Sequence, residues 1–472
     1  MFTQFSDVSR YLSEQQVHMI DLKFSDLWGR WHHVTLPASA FHQEVLTEGI
    51  GFDGSSVGFK SVHSGDMVLV PDLETGFIDP FWDQKTLSFI CITLDARSKA
   101  SFAGDPRQVL FHADQQLQKM GSADASLWGP EFEFYVFDHL TFTNDINTAG
   151  YKVDSSEASW RGSDRDLSYT IPLHGGYHAI PPNDQLFNLR SEISQELIKA
   201  GIPVKYHHHE VGGPGQCEIE TPLLAMRKAA DAVMMIKYFT KMIAISHGQI
   251  ATFLPKPLYG EAGNGMHFHQ QLLLGTDNAF YDPEGAHQLS QTALYYIGGL
   301  LHHAPSLLAF TNPSTNSYRR LVPGYEAPVN AFFSIGNRSA AIRIPAYATL
   351  PSEVRFEFRP PDATCNPYLA MAAMLMAGLD GIAQRIDPVA AGYGPINEDI
   401  FSWSPERRKS ITSLPTSLGE ALSALEADHQ YLTADGIFPD ELIDQWISAK
   451  RQEDQAVRSR PHPYEIELYF DL

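Results

Sequence analysis

The segment Gly129-Pro-Glu-Phe-Glu-Phe-Tyr-Val-Phe137 indicates the fold class of this 472-residue chain. Polar and apolar residues alternate along it, which is typical of a β-strand with one polar and one apolar face. Because side chains two residues apart leave a strand on the same side, Glu131 and Glu133 share the polar face. A strand of this kind, mixed with helical patterns, predicts an α+β fold.

The pattern along the chain changes near residue 104, where we place a domain boundary. Strand signals separated by turns come before it, at residues 34–37, 67–70 and 87–94. Helical patterns come after it, at residues 107–120, 225–250, 289–304 and 366–385, and most of 417–460 is helical. The sequence therefore predicts a small strand-rich domain, residues 1–104, and a large α+β domain, residues 105–472.

The charge balance argues against several kinds of partner. The chain carries 34 Lys and Arg against 56 Asp and Glu, a formal net charge of −22. Nucleic acid and anionic membranes attract positive surfaces, so we expect neither as a partner. The cysteines (Cys91, Cys217 and Cys365) form no disulfide or zinc pattern, and the N-terminal segment lacks signal-peptide features. The apolar segment 368–379 is too short to span a bilayer. We expect a cytosolic protein.

Further carboxylates and imidazoles follow the acid-bearing strand. They are Glu210, Glu218, Glu220, His267, His269 and Glu357. Buried carboxylates repel one another and resist desolvation, so several on one sheet face need cations. A set rich in oxygen ligands with one or two imidazoles suits Mg²⁺ or Mn²⁺ better than structural zinc. Two alternatives stay open: a strand whose acids face water, and histidines that are ordinary core or surface residues.

A second group of residues is cationic. Arg355 and Arg359 alternate with Glu357 on another predicted strand. Four more arginines precede it: Arg319, Arg320, Arg338 and Arg343. Guanidinium groups bind carboxylate and phosphate oxygens through two parallel hydrogen bonds, which suits phosphoryl transfer. Surface ion pairing is the alternative for any one arginine. The glycine-rich turns, such as 212–215 and 260–265, match neither the phosphate-binding loop nor the dinucleotide fingerprint.

Taken together, these segments resemble the type I glutamine synthetase family over essentially the whole chain. The motifs that carry the resemblance are Phe52-Asp-Gly-Ser-Ser56, Gly129-Pro-Glu-Phe-Glu-Phe134, Gly175-Gly-Tyr177, His208-His-Glu210, Ala251-Thr-Phe-Leu-Pro-Lys-Pro257, Gly265-Met-His267, Asn316-Ser-Tyr-Arg-Arg-Leu-Val-Pro-Gly-Tyr-Glu-Ala-Pro328, Asn337-Arg-Ser339, Arg343-Ile-Pro345 and Asn366-Pro-Tyr368. The resemblance implies a β-grasp-like N-terminal domain and a catalytic domain whose curved antiparallel sheet forms half a barrel. It also implies a homo-oligomer, a dodecamer of two hexameric rings with active sites shared between neighbouring subunits.

The resemblance further implies an activity: ATP-dependent ligation of ammonia to the γ-carboxylate of L-glutamate through γ-glutamyl phosphate. The products are L-glutamine, ADP and phosphate, and two or more Mg²⁺ or Mn²⁺ ions per subunit take part. By motif match, the first cation is expected at Glu133, Glu210 and Glu218. The second is expected at Glu131, His267 and Glu357. Glu220 has no counterpart in the family and is expected to be structural.

The remaining roles implied by the resemblance concern the substrates. Residues expected to bind glutamate are Gly263, Arg320 and Arg359. Residues expected to bind the nucleotide are His269, Arg338, Arg343 and Arg355, of which Arg338 is also catalytic. Asp53 of the neighbouring subunit would assist ammonium deprotonation in a pocket lined by Tyr177. Glu326 would close over the bound substrates and exclude water.

Several positions depart from the family pattern. Ala262 stands in place of Asn, Gln271 of Ser, Lys205 of Glu, and Ser352 of Lys. These departures weaken expectations about adenosine contacts and leave the six predicted metal ligands untouched. Adenylylated members carry Tyr at the position of Phe401, so we expect no adenylylation there, because a phenyl ring has no acceptor hydroxyl.

Two other functions stay open at this stage. A γ-glutamyl-amine or polyamine ligase would activate glutamate in the same way and accept a larger amine. The ammonium-pocket residues Asp53, Tyr177 and Glu326 argue against it. A non-catalytic homologue with an assembly or regulatory role would have lost metal or arginine residues, and this chain keeps both sets.

Overall fold

The structure, a computed structural model, describes residues 2–161, 169–324, 327–398, 400, 403–408 and 410–472. Its strands are β1 (Met19–Ser25), β2 (Trp31–Pro37), β3 (Ile50–Asp53), β4 (Asp66–Pro71), β5 (Phe77–Asp79), β6 (Thr86–Asp95), β7 (Ala125–Phe137), β8 (His139–Asp145), β9 (Thr148–Asp154), β10 (Tyr206–His209), β11 (Gln216–Glu220), β12 (Leu224–Ala225), β13 (Ile250–Thr252), β14 (Met266–Leu274), β15 (Asp277–Asn278), β16 (Phe333–Ile335), β17 (Ile342–Ile344) and β18 (Phe356–Phe358). Its helices are α1 (Phe5–Glu14), α2 (Val45–Glu48), α3 (Pro106–Met120), α4 (Phe187–Lys199), α5 (Met226–Ser246), α6 (Gln291–His302), α7 (Ala304–Thr311), α8 (Ser317–Arg320), α9 (Pro367–Gln384), α10 (Pro405–Arg408), α11 (Leu418–Ala427), α12 (Gln430–Thr433), α13 (Asp440–Arg458) and α14 (Pro463–Tyr469).

The N-terminal sheet has the strand order β2-β1-β6-β4-β3, with β5 beside β6. β1 and β6 run parallel, and β1 and β2 run antiparallel. Val8 of α1 is buried in the same apolar core as Leu22 and Phe89 of the sheet. The predicted strands 34–37, 67–70 and 87–94 lie in β2, β4 and β6. This sheet and its covering helix match the predicted β-grasp-like domain.

The second sheet is the predicted half-barrel, with the strand order β10-β11-β7-β14-β18-β17-β16. The acid-bearing segment forms β7, which pairs antiparallel with β11 on one side and β14 on the other. The sequence predicted an antiparallel sheet. One pair differs: the three-residue strands β16 and β17 run parallel. The turn between them begins at Gly336, whose φ of 79° is in the left-handed region.

Helices cover the apolar side of the half-barrel. Phe132 and Phe134 of β7 are fully buried, and they share an apolar core with α5 and α9. α9 begins where the sequence indicated: the Asn366 side chain accepts a hydrogen bond from the N–H of Tyr368 at 3.1 Å, and Pro367 occupies the first turn. The predicted helices 107–120, 289–304 and 366–385 correspond to α3, α6 and α9; the one at 225–250 ends earlier, at the end of α5.

Asn366 also joins the two sheets. Its Nδ2 donates to the carbonyl oxygens of Asp26 and Leu27, both at 3.1 Å. Gly29 (φ 77°) permits this approach, because a Cβ there would lie 2.8 Å from the Cα of Asn366. The predicted domain boundary between residues 104 and 105 falls just before α3 and stays a prediction. Within the described residues, the helices are too short or too polar to cross a lipid bilayer.

Candidate active site

Strand register brings the acidic side chains onto one face of the half-barrel. Glu133 of β7 lies opposite Glu218 of β11, and Glu131 lies opposite Glu220. On the other side of β7, His267 of β14 lies opposite Glu131. Directly opposed residues of antiparallel strands point to the same face. The alternation in the sequence therefore gathers these side chains in one place.

The first acidic group consists of Glu133, Glu210 and Glu218. One carboxylate oxygen of each lies within 4.8 Å of the others; Glu210 and Glu218 are buried, and the side chain of Glu133 is 12% exposed. Burial, and then the charges of Glu133 and Glu218, raise the pKa of Glu210 to about 9. Burial and neighbouring carboxylates also raise the pKa of Glu218 well above its usual range. Like charges this close need a cation or protons between them, so the group fits a divalent cation.

The second acidic group joins Glu131, His267 and Glu357, again with ligand atoms within 4.8 Å of one another. The Nδ1 of His267 lies 3.1 Å from Oε2 of Glu131 and 3.3 Å from Oε1 of Glu357. Burial by itself would raise the pKa of Glu131, but His269 and His267 outweigh it and lower that pKa well below its usual range. Two carboxylates with one imidazole also suit Mg²⁺ or Mn²⁺.

Arginine side chains surround the second group. Arg343 donates from Nε and Nη2 to Oε2 of Glu357, both at 2.6 Å. Arg359 donates to Oε1 of the same carboxylate at 2.5 Å. Arg320 is buried, with Nη1 on a backbone carbonyl at 2.8 Å and Nη2 3.2 Å from Nε2 of His267. These fixed guanidinium groups can bind phosphate and carboxylate oxygens beside bound cations.

A cavity of about 660 Å³ opens over both groups. The predicted site residues that line it are Glu131, Glu133, Tyr177, Glu210, Glu218, Gly263, His267, Arg320, Arg338, Arg343 and Arg359. Glu357 and His269 lie behind this lining, through contacts with Arg343 and Glu131 respectively. Arg355 lies one step further back, with its Nε 3.4 Å from Nδ1 of His269.

Two of the predicted residues, Gly263 and Tyr177, contribute to the cavity wall in different ways. Gly263 has no room for a side chain, because a Cβ there would lie 2.5 Å from the carbonyl oxygen of Pro255 and 2.9 Å from Cγ of Arg320. Tyr177 is exposed, and its ring stacks on that of His178 with centroids 4.2 Å apart. The wall is thus backbone at one point and a stacked aromatic ring at another.

Asp53 is not among the described residues that line the cavity of its own chain. It lies at the end of β3, where Oδ1 accepts hydrogen bonds from Ser55 N at 2.9 Å and Ser55 Oγ at 2.7 Å. Oδ2 accepts from Ser56 Oγ at 2.7 Å. The hydrogen bonds from Ser56 and Ser55 lower the pKa of this exposed carboxyl, which keeps it charged. Glu326 and Phe401 lie outside the described residues, and their predicted roles stay predictions.

Sequence reasoning did not place two residues of this face, and their roles stay predictions. Glu220, expected to be structural, is 2% exposed and groups with Glu131 and His269 within 4.8 Å. Lys205, set aside as a family departure, lines the cavity and pairs with Glu220 at 2.6 Å. The signal was present, because Glu220 follows Glu218 at the same two-residue spacing that put the first pair of acids on one face.

Comparisons with known proteins agree with this geometry. A family model for the glutamine synthetase catalytic domain matches residues 103–469, and one for the glutamine synthetase beta-Grasp domain matches residues 16–96. The chain is 46% identical to the glutamine synthetase of Frankia alni over 100% of both chains. It is 45% identical to that of Mycobacterium tuberculosis over 99% of this chain and 98% of the relative. Among solved structures, Plasmodium falciparum glutamine synthetase has a TM-score of 0.89 at 28% identity over 99% of each chain. A GmaS/ADP complex has a TM-score of 0.82 at 26% identity over 100% of both chains.

Buried acidic groups beneath arginine side chains allow an enzyme to hold divalent cations and phosphate groups side by side. The fold and the site thus define a metal-dependent, ATP-using ligase. The chain belongs to the glutamine synthetase family. This membership confirms the predicted β-grasp and half-barrel fold and the predicted activity, ATP-dependent synthesis of glutamine by a glutamate–ammonia ligase. The roles of individual residues stay predictions.

Proposed function

We propose that this chain makes glutamine within the half-barrel cavity, by phosphorylating the γ-carboxylate of L-glutamate with ATP and then exchanging the phosphate for ammonia. A carboxylate is a poor electrophile, so the acyl phosphate supplies the leaving group. Glutamate and ATP are both anionic, and a strongly cationic environment is needed to bring them together. The observation that carries the proposal is the pair of buried acidic groups beside Arg343 and Arg359 in one cavity.

The cations are Mg²⁺ or Mn²⁺, at two or more sites in each chain. One is held by Glu133, Glu210 and Glu218, and the other by Glu131, His267 and Glu357. Burial, and then the charges of neighbouring carboxylates, raise the pKa of Glu210 and of Glu218. This supports the first site, because a bound cation would stabilise the charged carboxylates. When bound, the cations neutralise phosphate oxygens and polarise the phosphoryl group under transfer.

Glutamate and ATP are bound by separate parts of the wall. Arg320 and Arg359 bind the carboxylates of glutamate, and the backbone at Gly263 lets the substrate approach closely. Arg338 and Arg343 face the phosphoryl group, and His269 and Arg355 position the nucleotide. GmaS, which shares this fold, has been solved in complex with ADP, and this supports nucleotide binding by this chain. Glu326 acts as the carboxylate that closes over the reacting groups.

The ammonium site is completed by a neighbouring subunit. Asp53 is exposed, charged and absent from the described lining of its own cavity, whereas Tyr177 is exposed at that cavity. An Asp53 carboxylate from the next subunit in a ring reaches Tyr177, attracts ammonium and takes up a proton as ammonia forms. A closed ring of this kind repeats one heterologous contact around its axis.

Exposed apolar side chains support the homo-oligomer. Phe470, after α14, is 79% exposed, and Ile466 within α14 is 58% exposed. Phe142 and Ile146 of the β8–β9 hairpin are 76% and 107% exposed. Large exposed apolar groups mark protein contacts. We assign them to contacts in a dodecamer of two hexameric rings, located in the cytoplasm, where free cysteines such as the buried Cys217 persist.

The test measures ADP release from ATP with glutamate and Mg²⁺, with ammonium compared against a panel of amines that includes putrescine and ethanolamine. We expect ammonium to stimulate ADP release most strongly and the product to be glutamine. Glu218→Gln, at a predicted cation ligand, should lose this stimulation, whereas Glu426→Gln, an exposed carboxylate paired with Arg451, should retain it.

Other outcomes favour the alternatives. A preference for a larger amine would assign the chain to γ-glutamyl-amine ligation and contradict the ammonium pocket at Asp53 and Tyr177. An assembled protein that is inactive with every amine would be a non-catalytic homologue. In that case Glu218→Gln and the unmodified chain would not differ.

A further inference from the structure

Lys205 and Glu220 form an ion pair at the wall of the half-barrel cavity. Nζ of Lys205 donates a hydrogen bond to Oε1 of Glu220 at 2.6 Å. The backbone N–H of Lys205 also donates to the carbonyl oxygen of Glu220 at 2.7 Å, and the next residue, Tyr206, lies directly opposite Glu220 in the β10–β11 pair. Strand pairing therefore fixes the two residues beside each other.

The two members of this ion pair differ in exposure. The side chain of Lys205 is 36% exposed and lines the cavity, whereas that of Glu220 is 2% exposed. Oε2 of Glu220 has no hydrogen-bond partner among the described residues, and Lys205 is the cation that pairs with Oε1. A buried carboxylate is costly unless a cation pairs with it. The carboxylate behind the wall therefore holds the ammonium group of Lys205 at the wall.

Both members of the pair also depart from the family pattern. Lys205 stands in place of Glu, and Glu220 has no counterpart in the family. In the family pattern the wall position carries a carboxylate, whereas in this chain a carboxylate lies behind the wall and an ammonium group lies on it. A carboxylate can only accept hydrogen bonds and an ammonium group can only donate them. This point of the wall thus changes from a negative acceptor to a positive donor.

The position of the pair relates it to the residues proposed to position the nucleotide. Glu220 lies opposite Glu131 on β7, and one oxygen of each lies within 4.8 Å of a ring nitrogen of His269. Nδ1 of His269 in turn lies 3.4 Å from Nε of Arg355. Because His269 and Arg355 are assigned to the nucleotide, Lys205 lies at the part of the wall that we assign to ATP.

The ammonium group of Lys205 has hydrogen-bond donors to spare for a ligand. It carries three N–H donors, of which Oε1 of Glu220 accepts one. Its other contact among the described residues is with the ring of Tyr206, whose centroid lies 4.9 Å from Nζ. A lysine ammonium binds phosphate as a point charge, through charge-assisted hydrogen bonds. The exposed ammonium group is therefore suited to an anionic ligand in the cavity.

We propose that Lys205, held at the wall by Glu220, binds a phosphate group of the nucleotide. The proposal rests on the proposed function, since it requires the nucleotide in this cavity. It makes Lys205 a specificity-determining residue: the ammonium group favours nucleotides that carry phosphate over the bare nucleoside.

Calorimetry on the full-length protein with Mg²⁺ compares the Kd of ADP with that of adenosine, which has no phosphate. Lys205→Met should weaken ADP binding at least about tenfold, because a charge-assisted hydrogen bond is lost, and should leave adenosine binding unchanged. Lys205→Arg keeps the charge and should retain most of the affinity for ADP. The KM for glutamate should not change in either variant.

A second variant removes both charges, because Lys205→Met alone leaves a buried carboxylate without its cation. In Lys205→Met with Glu220→Gln, ADP binding should still be weaker than in the unmodified chain. The loss should be smaller than in Lys205→Met, since a charge that repels phosphate has also gone. The matched control is Lys199→Met with Glu196→Gln, which removes an exposed ion pair of the same length on α4. It should bind both ligands as the unmodified chain does.

Equal weakening of ADP and adenosine would overturn the proposal, because it would assign Lys205 to the nucleoside or to the fold. Unchanged ADP binding in both Lys205 variants that lose the charge would also overturn it. Glutamine synthesis by a chain whose affinity for ADP does not depend on Lys205 would leave the proposed function standing without this inference. Phosphate-dependent binding through Lys205 in a chain that makes no glutamine would do the reverse.

Discussion

Glu133 and Glu218 lie directly opposite each other on β7 and β11, with carboxylate oxygens within 4.8 Å in a buried group that also contains Glu210. Their mutual repulsion makes the cation-free protein less stable than the loaded one. We therefore expect Mg²⁺ or Mn²⁺ to raise the melting temperature. A ligand that binds only the folded state, at a free concentration of about one hundred times its Kd, raises the free energy of unfolding by about 2.7 kcal/mol. Thermal unfolding in chelator and in excess Mg²⁺ measures the effect.

Glu218→Gln serves as the matched variant for this effect, because it removes one of the repelling charges and a predicted cation ligand without changing the size of the side chain. Its cation-free form should melt higher than the cation-free unmodified chain, and Mg²⁺ should raise its melting temperature less. An equal Mg²⁺ shift in both proteins would show that the stabilising ion binds elsewhere. Sodium chloride at matched ionic strength controls for screening.

The proposed sharing of the ammonium site between subunits predicts complementation between two inactive variants. Asp53→Asn removes the carboxylate proposed to enter the neighbouring subunit's cavity, and Glu133→Gln removes a predicted cation ligand of the chain's own cavity. Each variant should be inactive as a homo-oligomer. In rings that mix the two variants randomly in equal amounts, about a quarter of the sites combine an intact Glu133 from one subunit with an intact Asp53 from its neighbour. Activity should therefore return to about a quarter of that of the unmodified protein.

Complementation is measured after co-expression, with the homo-oligomers as controls. Activity in the mixture at the level of the homo-oligomers would place Asp53 and Glu133 in the same chain's site. Mass measurement of the assembled protein excludes failure of assembly as the reason.

The acidic face could be predicted from the sequence because it depends on local alternation. Glu131 and Glu133 are two residues apart on a single strand, and the structure places them on one face beside His267, whose position across the strand pair follows from register. The role proposed for Asp53 does not follow from local pattern, since it would depend on packing between chains. Glu220 was not assigned to this face for another reason: the resemblance gave it no counterpart, although it alternates with Glu218 at the same spacing as the first pair. Its expected structural role stays a prediction.

Arg343 is predicted to act on ATP rather than on glutamate. It donates twice to Glu357 and lines the cavity. Arg343→Gln removes the positive charge that is predicted to lie beside the phosphoryl group during transfer. The kcat/KM for ATP should therefore fall roughly a hundredfold, which corresponds to a loss of about 2.7 kcal/mol of transition-state stabilisation. The KM for glutamate should change little, and Arg343→Lys should recover part of the loss, because it restores the charge without the planar fork.

Steady-state kinetics with each substrate varied in turn give this comparison. Arg451→Gln, which breaks an exposed pair with Glu426, controls for loss of an arginine as such. A larger change in the KM for glutamate than in kcat/KM for ATP would move Arg343 to the glutamate side of the cavity.

His303, between α6 and α7, contacts Asp380 of α9 and Asp428 just after α11, and these contacts predict a pH-dependent stability. Its Nε2 lies 3.0 Å from Oδ2 of Asp380, and its Nδ1 lies 2.9 Å from Oδ2 of Asp428. Burial by itself would lower the pKa of His303, but the hydrogen bonds to Asp380 and Asp428 outweigh it and raise the pKa above the ordinary value of 6.5. A raised folded-state pKa contributes stability that is complete below the unfolded value and is lost as pH rises through the folded value.

The unmodified chain should therefore lose stability as pH rises above about 6.5, and His303→Gln should lose less over the same range. At about pH 6 the variant should be less stable by about 1 to 3 kcal/mol, because two partly buried carboxylates lose a charged partner. The pKa values of Asp380 and Asp428 are lowered, so these two carboxylates affect stability at acid pH. Their contribution to the free energy of unfolding is lost as pH falls through their folded-state pKa values. Thermal unfolding between about pH 6 and about pH 8 measures the slope. Parallel curves of melting temperature against pH for the two proteins would show that the pKa of His303 is the same in the folded and the unfolded state, and would contradict the prediction.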